Sequence, residues 1–331
     1  MYVLGIDTSN YTTSVALIDE DENIIFDKRR MLDVKKGERG LRQQEALFQH
    51  VNNLPALIHI VINDDTRDKI GAVSFSSRPR PVDGSYMPCF LAGQGTARAV
   101  AAALGVPCFE YSHQEGHVAA VAPQGLKDFL CYHLSGGTGE LLEVHIKEDD
   151  QASYDTSGAS VRHTKMDIKI IGATKDISPG QLIDRAGVAM GYGFPAGKEM
   201  DDIACGYSDY IANTGSDNKD KQEEILTGVR LDGLDFSLSG MERQVLGSIG
   251  KYDNDILIAQ MFKRLSVMLV KLTEKARKET GLRDTVFAGG VSMSKYVRSF
   301  LSEKLRDIYF GDNASDNAVG TAILGMRNLK E

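Results

Sequence analysis

The sequence predicts an α/β protein of two halves, each built on a mixed sheet, and three observations carry that prediction. Short runs rich in β-branched and aromatic residues alternate with stretches of helical spacing. A strand, polar turn, strand pattern at the start of the chain returns after about 125 residues, which reads as a duplicated domain. The length of 331 residues divides into two domains at about 150 residues each, both large enough to bury a core without staples.

Taken in order, Tyr2 to Ile6 reads as a strand, Asp7-Thr-Ser-Asn-Tyr11 as a polar turn and Thr13 to Ile18 as the return strand. Asn23 to Phe26 is a third strand after the acidic turn Asp19 to Glu22. Gly40 to Ile62 has helical spacing through Leu41, Ala46, Leu47, Val51, Leu54, Leu57 and Ile58. Ala72 to Phe75 is a short strand, Gly93 to Leu104 an alanine-rich helix, and Pro107 to Glu110 a strand leading into His113. The second half repeats the opening: strand Phe129 to Leu134, turn Ser135-Gly-Gly-Thr-Gly139, strand Leu141 to Ile146. Beyond Asp149 the chain reads as loose until helical spacing resumes at Gly180 to Met190, which Gly191 to Gly197 breaks. Tyr207 to Glu224 is polar and reads as an exposed insertion. Asp255 to Lys278 is the longest amphipathic helix. The strand Thr285 to Phe287, the turn Ala288-Gly-Gly-Val-Ser292, a helix to Leu305 and a last helix from Asp316 complete the chain.

The formal charge is −8, from 38 basic and 46 acidic residues, whereas a chain that bound nucleic acid alone would carry a basic balance. A nucleic-acid partner would need a local basic patch or helper subunits. Lys28-Arg-Arg30, Lys35-Lys36, Arg39 and Arg42 form one basic run, with Arg78 and Arg80 a smaller cluster; they fit a solvated face or local nucleic-acid contacts. Cys89, Cys108, Cys131 and Cys205 are scattered without a C-x-x-C pair, so neither a disulfide framework nor a cysteine zinc site is predicted, and a reducing cytoplasm fits. No run approaches the roughly 18 apolar residues of a membrane span. The expectation is a soluble, cytoplasmic protein with no membrane partner.

Three glycine or hydroxyl turns follow predicted strands: Asp7-Thr8-Ser9, Ser135-Gly136-Gly137 and Gly289-Gly290 with the residues after them. Such turns let backbone N–H groups approach a phosphate or carboxylate. Singly each fits an ordinary tight turn; three in one two-domain chain are the layout of a nucleotide cleft. None has a P-loop lysine or Rossmann spacing. His113 and His117 stand at i and i+4, on one helical face, a spacing that fits a shared metal or plain surface histidines. A zincin reading fails, because the residue after the first histidine is Gln114 rather than glutamate. His133 and His145 fall in strands, and His50, His59 and His163 read as surface. Asp316 precedes an apolar run, so it fits a helix N-cap or a third metal ligand. Ser237 and Ser239 read as turn caps.

These motifs, in this order, resemble the TsaD/Kae/Qri family of tRNA threonylcarbamoyladenosine synthases, once labelled O-sialoglycoprotein endopeptidases. Gly5-Ile-Asp-Thr-Ser9 is similar to the family's G-I-E-T-S, His113-x-x-x-His117 to its metal motif and Leu134-Ser-Gly-Gly137 to its V-S-G-G turn. Gly180-Gln-Leu-Ile-Asp-Arg185, Phe194-Pro-Ala-Gly197, Asp235-Phe-Ser-Leu-Ser-Gly240, Ala288-Gly-Gly-Val-Ser292 and Asp316-Asn317 extend the likeness nearly end to end.

The resemblance implies an actin/hexokinase/heat-shock-chaperone (ASKHA) fold, with RNase H-like domains at 1–122, completed by the helix 316–331, and at 123–315, around a nucleotide cleft. It implies one divalent metal, iron or zinc, on His113, His117 and Asp316. It places the nucleotide of ATP or threonylcarbamoyl-AMP against His133, Leu134, Ser135, Gly136, Gly137, Asp184, Gly197 and Ser294, with Asp7, Thr8, Ser9, Gly289 and Gly290 as supporting turns. The implied reaction moves a threonylcarbamoyl group from threonylcarbamoyl-AMP to N6 of the adenosine beside the anticodon of ANN-reading tRNAs. The implied partners are tRNA within a multi-protein complex and TsaB-like and TsaE-like subunits, or a second copy of the chain.

The chain departs from the family at Ser76 to Pro81, where a G-P-G-L turn is expected. It departs again at Thr138, Arg185, Ala196 and Ser294, which replace histidine, lysine, glycine and asparagine. Those changes raise a second reading, a divergent paralogue that binds nucleotide and metal as a non-catalytic partner or serves another acceptor. A small-molecule kinase is disfavoured because a histidine pair has no obvious use there.

Overall fold

Strand β1 (Tyr2–Asp7) is buried from Val3 to Asp7 because its alternate side chains meet helices on opposite faces of a sheet. Leu4 and Ile6 join the apolar cluster of α1 (Gln43–Val61) and α2 (Phe90–Leu104), with Leu54, Leu57, Ala97 and Ala101. On the other face Gly5 lies under α9 (Asn317–Lys330), so close that a Cβ there would overlap the carbonyl oxygen of Ala318. The computed structural model describes residues 1–9, 11–34, 41–154, 160–213, 224–311 and 317–330. It divides into unit 1, Met1–Lys127 with His145–Asp167 and Ser315–Glu331, and unit 2, Asp128–Val144 with Ile168–Ala314.

In unit 1 the sheet order is β3-β2-β1-β4-β5, with β2 (Thr12–Asp19), β3 (Ile24–Met31), β4 (Ile70–Arg78) and β5 (Cys108–Ser112). The first three strands are antiparallel neighbours, whereas β4 and β5 run parallel to β1. Strand β5 feeds directly into α3 (His113–Ala119), whose start is fixed by a capping box. The Ser112 hydroxyl accepts the Glu115 N–H, and the Glu115 carboxylate accepts the Ser112 N–H at 2.6 Å.

In unit 2 the sheet order is β12-β11-β6-β7-β8, with β6 (Asp128–Leu134), β7 (Gly139–Tyr154), β8 (Ser160–Ala173), β11 (Thr285–Ala288) and β12 (Ile308–Phe310). A small antiparallel pair, β9 (Arg230–Asp232) and β10 (Asp235–Ser237), stands apart from it. Strand β11 is parallel to both β6 and β12, so the stacked rings of Tyr132 and Phe287, with centroids 4.8 Å apart, lie on adjacent strands. The long helix α7 (Asn254–Thr280) buries Phe262, Leu265, Leu269 and Leu272, and Thr273 hydrogen-bonds the Tyr132 hydroxyl. It begins at the Asp253 cap and ends at Gly281 in the left-handed region (φ 78°). Helices α4 (Pro179–Ala189), α5 (Gly197–Asn213), α6 (Ser239–Ser248) and α8 (Lys295–Lys304) complete the unit.

Three expectations are corrected. The stretch after Asp149 is not loose: β7 runs to Tyr154 and β8 resumes at Ser160. These strands carry charge at many positions, so little apolar alternation marks them. Within the expected insertion, Tyr207 to Asn213 belong to α5, whose buried face, Met200 and Ala204, is too narrow to announce a helix; residues 214–223 lie outside the described residues. His50 is fully buried rather than on the surface, with Nδ1 2.8 Å from the Thr13 hydroxyl. The basic residues Lys35, Lys36 and Arg39 lie outside the described residues. Among the described residues no helix is long and apolar enough to cross a membrane.

Candidate functional site

In unit 1 the functional side chains gather where β1 ends and α3 begins. The i, i+4 spacing brings the Nε2 atoms of His113 and His117 within 3.1 Å of each other. The Nδ1 of His113 stands 3.2 Å from Oδ2 of Asp7, across 106 residues of sequence. Asp7 is fully buried. Burial by itself would raise its pKa, but the charge and hydrogen bond of His113, with hydrogen bonds from Ser76 and Ser9, hold it down to about 2. Ser9 donates its N–H (2.8 Å) and hydroxyl (2.5 Å) to Oδ1 of Asp7, closing the turn on itself. Thr8 ties the same turn to α2, donating to the Cys89 carbonyl and accepting the Gly93 N–H.

This pattern of carboxylate, imidazole and a second imidazole is one that metal sites use. A carboxylate on one ring nitrogen fixes the tautomer and leaves the other nitrogen to coordinate. A tetrahedral ion with Zn–N bonds near 2.0–2.1 Å holds its ligand nitrogens roughly 3.4 Å apart, close to the spacing seen here. Among the described residues no three His, Cys, Asp or Glu are placed to hold a metal ion together, and Asp316 lies outside the described residues. The helix it precedes, α9, does pack on α3. A Cβ at Gly320 would overlap the carbonyl oxygen of Gly116, which sits between the two histidines in sequence.

Unit 2 holds a cavity of about 500 Å³, bordered by Gly136, Gly180, Asp184, Gly197, Phe262, Gly290 and Ser294 among others, a size suited to a small organic ligand. The Ser135–Thr138 turn is held from both ends: the Ser135 hydroxyl accepts the Thr138 N–H at 3.0 Å, and the Ser178 hydroxyl donates to the Gly136 carbonyl at 2.9 Å. Gly180 lets α4 press on this turn, since a Cβ there would sit 2.7 Å from the Ser135 carbonyl oxygen. Asp184 accepts the Ala196 N–H at 2.9 Å, fixing the segment that leads into Gly197. Gly289 has φ 89°, and a Cβ would overlap the Leu134 carbonyl oxygen, so the Gly289-Gly290 turn sits directly on the end of β6.

The structure thus brings Gly136, Asp184, Gly197, Gly290 and Ser294 to one cavity. Leu134 is buried in the sheet and His133 is half-buried, paired with Ala288. The Ser294 hydroxyl is turned to Asp201 at 2.5 Å and accepts the Val297 N–H at 3.1 Å. Arg185 reaches Glu242 at 3.2 Å. Ser239 is not a cap in its own right; Asp176 accepts the N–H groups of Leu238 and Ser239 at the start of α6. Sequence reasoning missed the pairing of Asp7 with His113 and the cavity residues Lys198, Asp201, Asp202 and Lys295.

A family model described as TsaD, tRNA N6-adenosine threonylcarbamoyltransferase, matches residues 30–319. The chain belongs to this family. Among proteins bearing the same description, the one from Thermosipho africanus is 28% identical over 100% of this chain and 95% of that protein. One from Thermus thermophilus is 27% identical over 99% and 93%. The TsaD family is named for an acyltransferase activity, and the fold agrees with its ASKHA architecture. Component A of (R)-2-hydroxyglutaryl-CoA dehydratase from Acidaminococcus fermentans superposes with a TM-score of 0.53 at 14% identity, covering both chains fully. Full-length HypF in its phosphate- and nucleotide-bound form gives 0.53 at 13%, covering all of this chain and 47% of that one.

Proposed function

We propose that this TsaD-family chain transfers the threonylcarbamoyl group of threonylcarbamoyl-AMP to N6 of the adenosine beside the anticodon in ANN-reading tRNAs. The observation that carries the reading is the pair of Nε2 atoms 3.1 Å apart, with the buried carboxylate of Asp7 3.2 Å from the His113 Nδ1. In this proposal His113, His117 and Asp316 hold one divalent ion, iron or zinc. Bound there, the ion would offset negative charge on the acyl phosphate as AMP departs. The new bond joins N6 to the carbamoyl carbon, the carbon–oxygen bond to the AMP phosphate breaks with its electron pair staying on AMP, and the proton lost from N6 passes to solvent. The unit 2 cavity would take the nucleotide of ATP or threonylcarbamoyl-AMP, with Asp184 setting its wall and the Gly136 and Gly290 turns admitting close backbone approach.

The net charge of −8 supports tRNA binding within a complex with TsaB-like and TsaE-like subunits, or a second copy, rather than by this chain alone. Peptide hydrolysis has no support, since the Glu115 carboxylate is engaged at 2.6 Å as a helix cap. The diverged non-catalytic paralogue is favoured by one observation, the Ser294 hydroxyl directed to Asp201 rather than left for a ligand. Purified chain with partner proteins, threonylcarbamoyl-AMP and tRNA separates the two: threonylcarbamoyladenosine in the digested tRNA is expected. Its absence there, and from tRNA of cells whose sole family member is this chain, would sink the transferase assignment.

The outer carboxylate gives a graded prediction. Asp7→Asn keeps the volume but removes the charge opposite the His113 Nδ1, so metal affinity is expected to fall by about ten- to a hundredfold. Competition with a chelating dye measures this, and unchanged affinity would remove Asp7 from the site.

A further inference from the structure

We infer that Asp201 is a positioning residue that sets the shape of the unit 2 cavity by clamping the Gly289–Lys295 turn onto helix α5. The inference rests on the proposal that this cavity takes a nucleotide. Asp201 projects from the second turn of α5 and is nearly buried, at 7% exposure. Its Oδ1 accepts the Ser294 hydroxyl at 2.5 Å and the Tyr296 N–H at 3.1 Å, and its Oδ2 accepts the Lys295 N–H at 2.8 Å. Three donors on one carboxylate, from three consecutive residues, make a cap for α8 supplied from another helix. Ser294 serves both sides, since its oxygen also accepts the Val297 N–H.

The consequence reaches the cavity because both partners of the clamp lie on its wall. Gly197 and Lys198 begin the helix that carries Asp201, and Gly290, Met293 and Ser294 belong to the turn it holds. On its far side the turn is pressed against β6, where Gly289 leaves no room for a Cβ beside the Leu134 carbonyl. Within the turn, the Ser292 hydroxyl donates to the Gly289 carbonyl at 2.6 Å, and Arg298 donates to the Ser292 carbonyl at 2.7 Å. The turn is therefore held by backbone contact with the sheet on one side, and on the other by the Asp201 carboxylate together with the Arg298 guanidinium. Substituting that carboxylate changes the wall without removing a group that the turn itself offers to a ligand. At the cavity mouth Lys295 also pairs with Asp202 at 3.0 Å, so releasing the turn moves a charged side chain as well.

Asn at position 201 presents an amide N–H₂ to N–H and O–H donors, so at least one of the three bonds cannot re-form. The test measures AMP and ATP binding by calorimetry, with bound metal and thermal midpoint recorded on the same preparations. For Asp201→Asn, nucleotide affinity is expected to fall about tenfold, on the scale of a lost hydrogen bond to a charged acceptor, while metal content stays that of the wild-type chain. The conservative Asp201→Glu is expected to recover part of the loss. A lower midpoint with unchanged nucleotide affinity would overturn the inference and leave Asp201 a stabilising cap. A wild-type chain that binds neither nucleotide would overturn the nucleotide reading, and this inference with it. Should Asp201→Asn fail to fold, Asp201→Glu, which keeps the charge but displaces the carboxylate along the side chain, decides by the same measurement: about threefold weaker nucleotide binding is expected, and unchanged affinity would overturn the inference.

Discussion

Alanine at His113 or at His117 is expected to remove stoichiometric metal and to lower threonylcarbamoyl transfer about a thousandfold, the equivalent of about 4 kcal/mol of transition-state stabilisation from a bound cation. The two variants differ in what they leave behind. His113 is the partner of the buried Asp7 carboxylate at 3.2 Å, so His113→Ala leaves the Oδ2 atom of that carboxylate without its imidazole partner while the Ser9 bonds to Oδ1 remain, at a cost of about 1–3 kcal/mol. His117→Ala leaves the Asp7–His113 pair intact. The thermal midpoint should therefore fall further for His113→Ala, although both variants lose metal and activity. Elemental analysis, the transfer assay and a melting curve on each variant supply the three readings. Full metal content in either variant would break the proposed site, and equal midpoints would separate Asp7 from the stability of α3.

The same contrast shows which parts of the site could be read from the sequence. His113 and His117 stand four residues apart on a helix whose cap, Ser112 with Glu115, is also local; spacing alone puts their rings on one face. The turns at Ser135 and Gly289 are legible for a similar reason, since a glycine pair after an apolar run needs no distant partner to be recognised. Asp7 is different. Its place at the end of β1 can be read, but its pairing with His113 depends on β1, β4 and β5 lying side by side and parallel in one sheet. Asp201 and Ser294 are further examples, separated by 93 residues. Their contact comes from the packing of α5 on α8, and nothing in either local stretch announces it. Leu141 to Ile146 of β7 could be read, but the end of β7 beyond Asp149 and the whole of β8 were illegible for another reason: they carry charge where a half-buried strand would alternate.

Gly320→Ala is expected to destabilise unit 1 by about 3 kcal/mol or more, on the scale of overpacking a site that cannot relax. The obstacle is backbone: an ideal Cβ at Gly320 would overlap the Gly116 carbonyl oxygen and lie 2.6 Å from its carbon. Neither helix can yield independently, because α9 is also seated on β1 through Gly5 and on β4 through Gly325, against Ser74. A substitution that merely raises helix propensity thus forces α9 away from α3. Metal affinity should fall together with stability, since Asp316 immediately precedes α9 and the two histidines lie on α3. Gly95→Ala in α2 is the control, because a Cβ there meets nothing within 4 Å. With the same chemical change at an open helical position, it should stabilise by about 0.5–1 kcal/mol. Urea unfolding of the two variants measures opposite signs if the close approach of α9 governs. A Gly320→Ala chain with wild-type stability and metal content would show that α9 can shift without disturbing the histidine pair, and would remove it from any account of the third ligand.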